Sequence, residues 1–324
     1  MEFAGWRKAL SKLVSIIIPL FNKEKYISET IESAFSQDYP NIEIIVVDDG
    51  STDQSLEIVQ RYKGKIQIHT QVNQGAPRAR NFGFRKSKGE YIQFLDADDI
   101  LGPKKISSQV GRLTGEQFAI ATCPWVHDNE ALESRKSIYK DFECSADLLH
   151  AIWSSGEFFN PASWLLPRDI VEKAGPWDEE LLVDQDGEYF ARVLLQGCKV
   201  LFAEKGFCTY TKPSVENVSN LNSYEKKKSL VQSLEKSVRI IQASKYKRRL
   251  GRACLRRIRA IGYRVRDDEL LISKISKLEQ EFKKRDLNLY CPLGYNVLCS
   301  VFGVKNALKI RNIKQSFSMI KRLF

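Results

Sequence analysis

Three aspartates, Asp96, Asp98 and Asp99, follow a short apolar run and could hold a metal ion. Carboxylates two residues apart on a turn can converge on one hard divalent cation, because Mg²⁺ and Mn²⁺ prefer oxygen ligands. The run at residues 91–95 has the pattern of a buried strand, which would place the aspartates at a strand end. Capping of a turn ahead of Pro103 is the structural alternative. The position after a strand favours the metal site.

The elements that must position these aspartates alternate between strand and helix over the first hundred residues. The patterns predict strands at residues 14–18, 42–47, 66–69 and 91–95, and helices at residues 25–37, 54–62 and 76–86. The first strand is expected to end at Pro19. This alternation implies a parallel sheet with helices on its faces, and ligands of such sheets lie beyond the carboxyl ends of the strands. We therefore expect the functional residues at that edge of the sheet.

The composition of the 324 residues is that of a folded protein with a sizeable core, with 43% hydrophobic and 28% charged residues. No apolar run reaches the roughly 20 residues that a transmembrane helix needs, and the first residues lack the pattern of a secretory signal. These features predict a cytoplasmic location. The seven scattered cysteines and three histidines show no metal-ligand spacing, so reduced thiols are expected.

Charge divides the chain into two parts. Residues 1–213 carry about six more acids than bases, whereas residues 214–324 carry about seventeen more bases than acids and have a mostly helical pattern. We expect a domain boundary near residue 213 and a basic, mainly helical extension after it. Such an extension can contact an anionic membrane or nucleic acid, or it can be solvated helix. Peripheral contact with the inner face of a membrane is the hypothesis, and no nucleic acid is expected.

Four blocks of sequence resemble the family 2 glycosyltransferases in their order and spacing. The blocks are Ser15-Ile-Ile-Ile-Pro-Leu-Phe-Asn-Lys-Glu24, Ile45-Val-Val-Asp-Asp-Gly-Ser-Thr-Asp53, Asn73-Gln-Gly75 with Ala79-Arg-Asn81, and Gly89-Glu-Tyr-Ile-Gln-Phe-Leu-Asp-Ala-Asp-Asp99. The resemblance is strong over residues 13–100, extends to about 213 and is absent from the tail. It implies a GT-A fold over residues 1–213, an α/β architecture in which a mixed sheet flanked by helices binds a nucleotide. It also implies inverting, metal-dependent transfer of a sugar from a nucleotide-sugar donor to a glycan or lipid-linked acceptor. A UDP sugar is the favoured donor.

The resemblance also assigns donor-binding roles to individual residues. These are Pro19, Leu20, Phe21 and Glu24 at the base and ribose pocket, Asp49 at the nucleobase, Arg80 near the nucleotide, and Asp96 at the ribose or sugar. Asp98 would hold a divalent cation, Mn²⁺ or Mg²⁺, against the diphosphate. Such a cation stabilises the negative charge that develops on the leaving group. Simple strand termination is the alternative interpretation of Pro19 and Phe21.

The catalytic base should be a carboxylate, because an inverting displacement needs the acceptor hydroxyl deprotonated as it attacks. Residues 175–192 resemble the family's Glu-Asp segment, and in that register Asp186 takes the place of the base. Gln185 stands where Glu is usual, so Asp184 and Glu188 remain alternative bases. Asp186 could also cap the helix that follows, and a helix N-terminus would keep it ionised.

Several other residues are open to two interpretations. Trp177 stands where the family commonly has Phe, and with Trp125, Trp153 and Trp164 it could form a sugar platform or belong to the core. Lys212 stands near the position where many relatives place a histidine or arginine close to the diphosphate. It could serve as a point-charge phosphate contact.

Two other functions compete with glycosyl transfer. A sugar nucleotidyltransferase also places acids after strands, but it would need a Gly/Lys-rich phosphate loop where this chain has Pro19-Leu-Phe-Asn22. A non-catalytic module that binds nucleotide sugars or an anionic surface would tolerate Asp→Asn at positions 98 and 186. The sequence contains neither a GxGxxG nor a GxxxxGK[ST] motif, which argues against dinucleotide oxidoreductases and P-loop enzymes.

Overall fold

The computed structural model describes residues 12–127, 138–211 and 220–285. The chain divides into two compact units. The first comprises Met1–Leu148, Glu157–Glu180 and Gln185–Val218, and the second comprises Leu149–Gly156, Leu181–Asp184 and Ser219–Phe324. No helix in the described ranges is both long enough and apolar enough to cross a membrane.

The strands form a large mixed sheet and a small one. In chain order they are β1 (Val14–Leu20), β2 (Ile42–Asp48), β3 (Gln67–Thr70), β4 (Tyr91–Phe94), β5 (Ile100–Leu101), β6 (Ala119–Thr122), β7 (Trp125–His127), β8 (Trp164–Pro167), β9 (Lys199–Phe202) and β10 (Cys208–Tyr210). The large sheet has the order β3-β2-β1-β4-β8-β6-β9, and the small one has the order β5-β10-β7. The first four strands are parallel to one another, and β8 runs antiparallel to both β4 and β6. The predicted mixed α/β architecture is confirmed.

The helices follow the predicted alternation over the first hundred residues. They are α1 (Ile27–Phe35), α2 (Ser55–Gln60), α3 (Ala76–Lys86), α4 (Lys105–Leu113), α5 (Ser145–Ser155), α6 (Arg168–Ala174), α7 (Gln185–Leu194), α8 (Tyr224–Ala243), α9 (Lys247–Arg264) and α10 (Glu269–Arg285). In the first unit α3 packs on β1 and β2. In the second unit α8, α9 and α10 pack on one another, which agrees with the helical pattern predicted for this region.

β1 is an interior strand of the large sheet and is buried along its whole length, as the apolar run predicts for a parallel strand. The prediction that the strand ends at Pro19 is wrong, because Pro19 pairs with Val47 and the strand continues to Leu20. β1 pairs with β4 only as far as Ile17, so the strand has a single neighbour at the proline. A residue without an N–H donor is tolerated at such a position.

Lys105 is a charged side chain in the core of the first unit. It is fully buried, and its Nζ donates a hydrogen bond to the carbonyl oxygen of Trp164 at 3.1 Å. Burial lowers the pKa of Lys105 from 10.5 to about 8, although the nearby thiols of Cys123 and Cys208 act in the opposite direction. Between these two values the folded protein has released a proton that the unfolded chain still binds. The contribution of Lys105 to stability therefore rises with pH across this window.

We expect Lys105→Met to remove this pH dependence. The free energy of unfolding of the variant, minus that of the wild type, should fall by about 1 kcal/mol per pH unit between pH 8 and 10. Denaturant unfolding at pH 7, 8, 9 and 10 measures this difference. The exposed neighbour provides the control, since Lys104→Met should give a constant difference. A constant difference for Lys105→Met as well would contradict the prediction.

Candidate active site

The parallel strands β1, β2 and β4 end at the same edge of the large sheet, and the turns that follow them meet there. The backbone N–H of Asp49 donates to the carbonyl oxygen of Leu20 at 2.7 Å, which joins the ends of β1 and β2. The N–H of Leu95 donates to the carbonyl oxygen of Ile17 at 3.0 Å, which joins β4 to β1. The aspartates at 96–99 therefore start beside the segment that follows β1.

The segment after β1 is held by side-chain contacts to the turn after β2. Asn22 has a left-handed backbone conformation with φ of 50°, and its Oδ1 accepts a hydrogen bond from the N–H of Thr52 at 2.8 Å. The Oε2 of Glu24 accepts from the N–H of Gln54 at 3.0 Å. Phe21, just before Asn22, is 42% exposed, and Glu24 is also exposed, whereas Pro19 and Leu20 are buried. Among the predicted pocket residues, Phe21 and Glu24 therefore have accessible side chains.

Asp49 is buried and organises the loop that leads into α3. Its Oδ1 accepts hydrogen bonds from the Nε2 of Gln71 at 2.7 Å and from the N–H of Gln74 at 2.9 Å. Its Oδ2 accepts from the N–H of Gly75 at 2.8 Å. These contacts use three of the roughly four lone-pair sites of a carboxylate. A nucleobase contact by Asp49 would use the remaining one.

Arg80 of α3 neutralises Asp96. Its Nη2 donates to the Oδ1 of Asp96 at 2.5 Å, and the arginine side chain is only 6% exposed. The Nη1 of Arg80 lies 3.4 Å from the Oε1 of Gln185, at the start of α7. The guanidinium group also lies over the ring of Trp177, with its carbon 4.4 Å from the ring centroid. One cation thus links the first aspartate of the triplet to the helix that carries the predicted base.

Lys23 neutralises Asp98. Its Nζ lies 2.6 Å from the Oδ2 of Asp98, and the aspartate side chain is 13% exposed. Burial raises the pKa of Asp98, and the charge and hydrogen bond of Lys23 oppose that shift. The sequence interpretation assigned no role to Lys23, although it lies in the first of the four blocks. Its position four residues after Pro19, on the segment that follows β1, was the available signal.

Asp99 is fully buried, and hydrogen bonds from two other segments of the chain hold its carboxylate. Its Oδ2 accepts a hydrogen bond from the Nδ2 of Asn160 at 3.1 Å, and its Oδ1 accepts from the N–H of Thr211 at 3.3 Å. Burial raises the pKa of Asp99 well above its ordinary value, and the charges of Asp96 and Asp98 add to this shift. The three carboxylates are therefore close enough to repel one another.

Asp186 and these three acids all lie within electrostatic range of Tyr210. Burial raises the pKa of Tyr210 to about 12, and the charges that reinforce the shift come from Asp99, Asp98, Asp96 and Asp186. Asp186 itself stands in the first turn of α7, which begins at Gln185. The helix starts earlier than the sequence predicted, so Asp186 is inside the first turn and not at the cap.

The two alternative bases are engaged in ion pairs. In the second unit both Oδ atoms of Asp184 lie 2.7 Å from the Nη2 of Arg257, and its Oδ2 accepts from the Oγ of Ser233 at 2.6 Å. In the first unit both Oε atoms of Glu188 accept hydrogen bonds from Arg192, each at 2.8 Å. The positive charge of an arginine therefore stabilises the ionised form of either carboxylate and makes it a weaker base.

The acids at the sheet edge fit a divalent cation that is shared with a substrate. In the ranges that the structure describes, no group of three or more His, Cys, Asp and Glu side chains is placed to hold a metal ion. Mg²⁺ sites commonly use one or two carboxylates and complete their shell with waters and substrate phosphates. Asp98, with Asp96 two residues before it, supplies oxygen donors of that kind.

Lys212, the predicted phosphate contact, lies outside the described residues.

The four tryptophans considered as a sugar platform are buried. Trp125, Trp153, Trp164 and Trp177 are each at most 6% exposed. Their burial favours the interpretation that they belong to the core. Trp177 has an additional contact, the guanidinium of Arg80, that the sequence did not indicate.

The chain is similar to known glycosyltransferases over much of its length. Residues 15–174 match the model of Glycosyl transferase family 2. The uncharacterised glycosyltransferase EpsJ of Bacillus subtilis is 30% identical over 245 residues, which are 69% of this chain and 67% of that protein. The uncharacterised glycosyltransferase RT0329 of Rickettsia typhi is 34% identical over 194 residues, which are 57% of this chain and 59% of that relative. The chain thus spans less than two thirds of the latter.

Solved structures with the same fold include two examples from Staphylococcus aureus and Pyrobaculum calidifontis. Residues 1–349 of Staphylococcus aureus TarS in complex with UDP-GlcNAc superpose with a TM-score of 0.70 and 17% identity, covering 94% of this chain and 92% of that one. The mannosyltransferase PcManGT from Pyrobaculum calidifontis, in complex with GDP-Man and Mn²⁺, gives a TM-score of 0.50 and 17% identity, covering 96% and 94%. The mixed sheet with aspartates at its carboxyl edge, the family match and these neighbours agree. The chain belongs to the family 2 glycosyltransferases and has the GT-A fold.

Proposed function

We propose that this protein transfers a sugar from a nucleotide-diphosphate donor, a UDP sugar in first place, to a hydroxyl of a glycan or lipid-linked saccharide, with inversion at the anomeric carbon. The observation that carries the proposal is the pairing of Asp96 with Arg80 and of Asp98 with Lys23 at the carboxyl edge of the sheet. TarS in complex with UDP-GlcNAc and the mannosyltransferase in complex with GDP-Man share the fold and support a nucleotide-sugar donor.

The donor would be held by groups from three strand ends. Phe21 is exposed beside the turn that follows β1, and Asp49 lies buried at the end of β2. The pairing of Arg80 with Asp96 fixes the carboxylate that would contact the ribose or the sugar. A divalent cation, Mn²⁺ or Mg²⁺, held by Asp98 would stabilise the negative charge of the departing diphosphate. The two cationic side chains favour an anionic ligand at this edge.

Asp186 is proposed as the base that removes the proton of the acceptor hydroxyl. It lies in the first turn of α7, where the helix dipole stabilises a carboxylate, and like the other acids it lies within electrostatic range of Tyr210. The ion pairs of Asp184 with Arg257 and of Glu188 with Arg192 disfavour these two as bases. A positioned general base contributes roughly 10²- to 10⁴-fold to the rate.

Turnover of a panel of nucleotide sugars, with Mn²⁺ and with EDTA, tests the proposal. We expect metal-dependent transfer or hydrolysis of one donor, and a loss of roughly 100-fold or more in Asp98→Asn and Asp186→Asn. Asp184→Asn is the matched control. It should retain turnover within a few-fold and unfold at a lower temperature, because it weakens the pair with Arg257.

Three outcomes would contradict this assignment. Full activity in Asp186→Asn, together with a loss in Asp184→Asn, would move the base to the other aspartate. Metal-dependent nucleotide binding without turnover of any sugar would favour the non-catalytic module. Release of pyrophosphate from a nucleoside triphosphate and a sugar phosphate would favour the nucleotidyltransferase.

The basic second unit is proposed to contact an anionic membrane from the cytoplasmic side, where lipid-linked acceptors would be met. Helix α9 carries Arg248 and Arg252 one turn apart on an exposed face. Each basic residue near an anionic surface contributes about 1 kcal/mol to membrane binding. Nucleic acid, the other polyanion that a basic helix can bind, is the alternative outcome of the test.

The double variant Arg248→Glu/Arg252→Glu tests this surface. We expect binding to phosphatidylglycerol vesicles, measured by co-sedimentation, to weaken by about 30-fold or more, because two attractive charges become repulsive. The control is Lys274→Glu/Lys277→Glu, which changes the net charge equally at exposed positions of α10. Equal losses in the two variants, or none, would count against a specific surface on α9. Salt-dependent binding to RNA or DNA in place of vesicles would assign the surface to nucleic acid.

A further inference from the structure

Four planar side chains contact one another in a row that begins at Arg80, the residue that pairs with Asp96. They are Arg80, Trp177, Tyr189 and Arg192. The guanidinium of Arg80 lies 4.4 Å from the ring centroid of Trp177. The rings of Trp177 and Tyr189 are parallel to within 5°, with centroids 4.0 Å apart. The guanidinium of Arg192 lies 5.2 Å from the centroid of Tyr189. All four residues belong to the first unit, and the row joins α3 to α7.

The middle of the row is rigidly held. Trp177 is 2% exposed and Tyr189 is fully buried. Asn81, the neighbour of Arg80, fixes the backbone of Trp177 twice, accepting from its N–H at 2.8 Å and donating to its carbonyl oxygen at 2.9 Å. Phe94, at the end of β4, contacts both rings edge-on with centroids 5.2 and 5.9 Å away. The ring of Trp177 therefore offers Arg80 a fixed surface.

Hydrogen bonds alone do not fix Arg80. One edge of its guanidinium donates to Asp96, and the contact with Gln185 is long at 3.4 Å. The Nε is buried and has no hydrogen-bond partner among the described residues. The carbon of the group lies over the indole ring, and indole is the aromatic ring that attracts a cation most strongly. The ring therefore helps to hold the guanidinium in place, and the hydrogen bond to Asp96 depends on that placement.

We propose that Trp177 is a positioning residue for the donor site, acting through Arg80 to orient the carboxylate of Asp96. The inference rests on the proposed function, because it assumes that Asp96 and Arg80 meet the nucleotide sugar. It goes beyond that function by giving the tryptophan at this position a task. Phenylalanine, which is common there in the family, has a smaller ring and would hold the guanidinium less strongly.

Trp164 provides a matched control within the same unit. It is equally buried at 2% exposure and stacks on Phe190 with centroids 4.8 Å apart. Among the described residues no cation lies over its ring. Truncation of either tryptophan creates a cavity and lowers thermal stability. Only the truncation of Trp177 should also weaken the binding of the donor.

The test measures the dissociation constant of UDP and the KM and kcat for the donor in Trp177→Phe, Trp177→Leu and Trp164→Leu. We expect UDP affinity and donor KM to worsen by about threefold in Trp177→Phe and about tenfold in Trp177→Leu, with tenfold equal to about 1.4 kcal/mol. Trp164→Leu should change both by less than twofold at a comparable loss of thermal stability. Equal effects of the two leucine variants, or none from Trp177→Leu, would overturn the proposal.

A double-mutant cycle separates positioning from packing. When Arg80 is already Lys, the change Trp177→Leu should weaken UDP binding by less than twofold, because the planar group that the ring orients is gone. Additive effects would overturn the proposal. Absence of UDP binding and of turnover in the wild type would instead contradict the proposed function. Normal wild-type binding with no change in Trp177→Leu would contradict the positioning role alone.

Discussion

The constraint on which the site depends is the placement of three carboxylates at the end of one buried strand. Asp96, Asp98 and Asp99 lie close enough together that the charge of Asp96 adds to the raised pKa of Asp98, and the charges of both add to the raised pKa of Asp99. Uncompensated charges in a poorly solvated position are expensive, so each must be paired or hydrogen-bonded. The fold provides these partners from several elements. Arg80 pairs with the first aspartate, Lys23 pairs with the second, and Asn160 and a backbone N–H bind the third.

The arrangement of the parallel strands makes this compensation possible. β1 and β4 are neighbours, so the segment after β1 brings Lys23 to the residues that follow β4. α3 packs on β1 and β2, which brings Arg80 to the same edge. A site built in this way carries positive side chains beside acidic ones. Binding of the proposed divalent cation together with an anionic diphosphate would change the net charge of such a site only a little.

Much of the first hundred residues could be predicted from the sequence, because buried parallel strands and amphipathic helices leave strong local patterns. The order of strands β1 to β4 and helices α1 to α3 followed from those patterns. The antiparallel strand β8 did not, since its pairing with β4 joins Tyr91 to Pro167 across a long stretch of chain. Pro19 was misinterpreted because its tolerance depends on where β4 stops pairing, which is a tertiary property.

The candidate site was predictable where the family blocks carry it and obscure where tertiary contacts decide. The aspartates were predicted from their spacing after a buried strand and from the resemblance, and Arg80 was predicted from the resemblance alone. Trp177, whose ring contacts the guanidinium of Arg80, lies about a hundred residues away in the sequence. No local pattern connects the two residues. The ion pair of Asp184 with Arg257 is likewise a contact between distant segments. This ion pair gives a structural role to Asp184, which the sequence left as an alternative base.

The most direct test of this account is the affinity of the wild-type protein for UDP, measured by titration calorimetry with Mn²⁺ and again with EDTA. The account predicts at least roughly tenfold tighter binding with the metal, because a cation held at the aspartates would neutralise the diphosphate. Equal affinities under the two conditions would contradict the assignment of the acidic edge as a metal-diphosphate site.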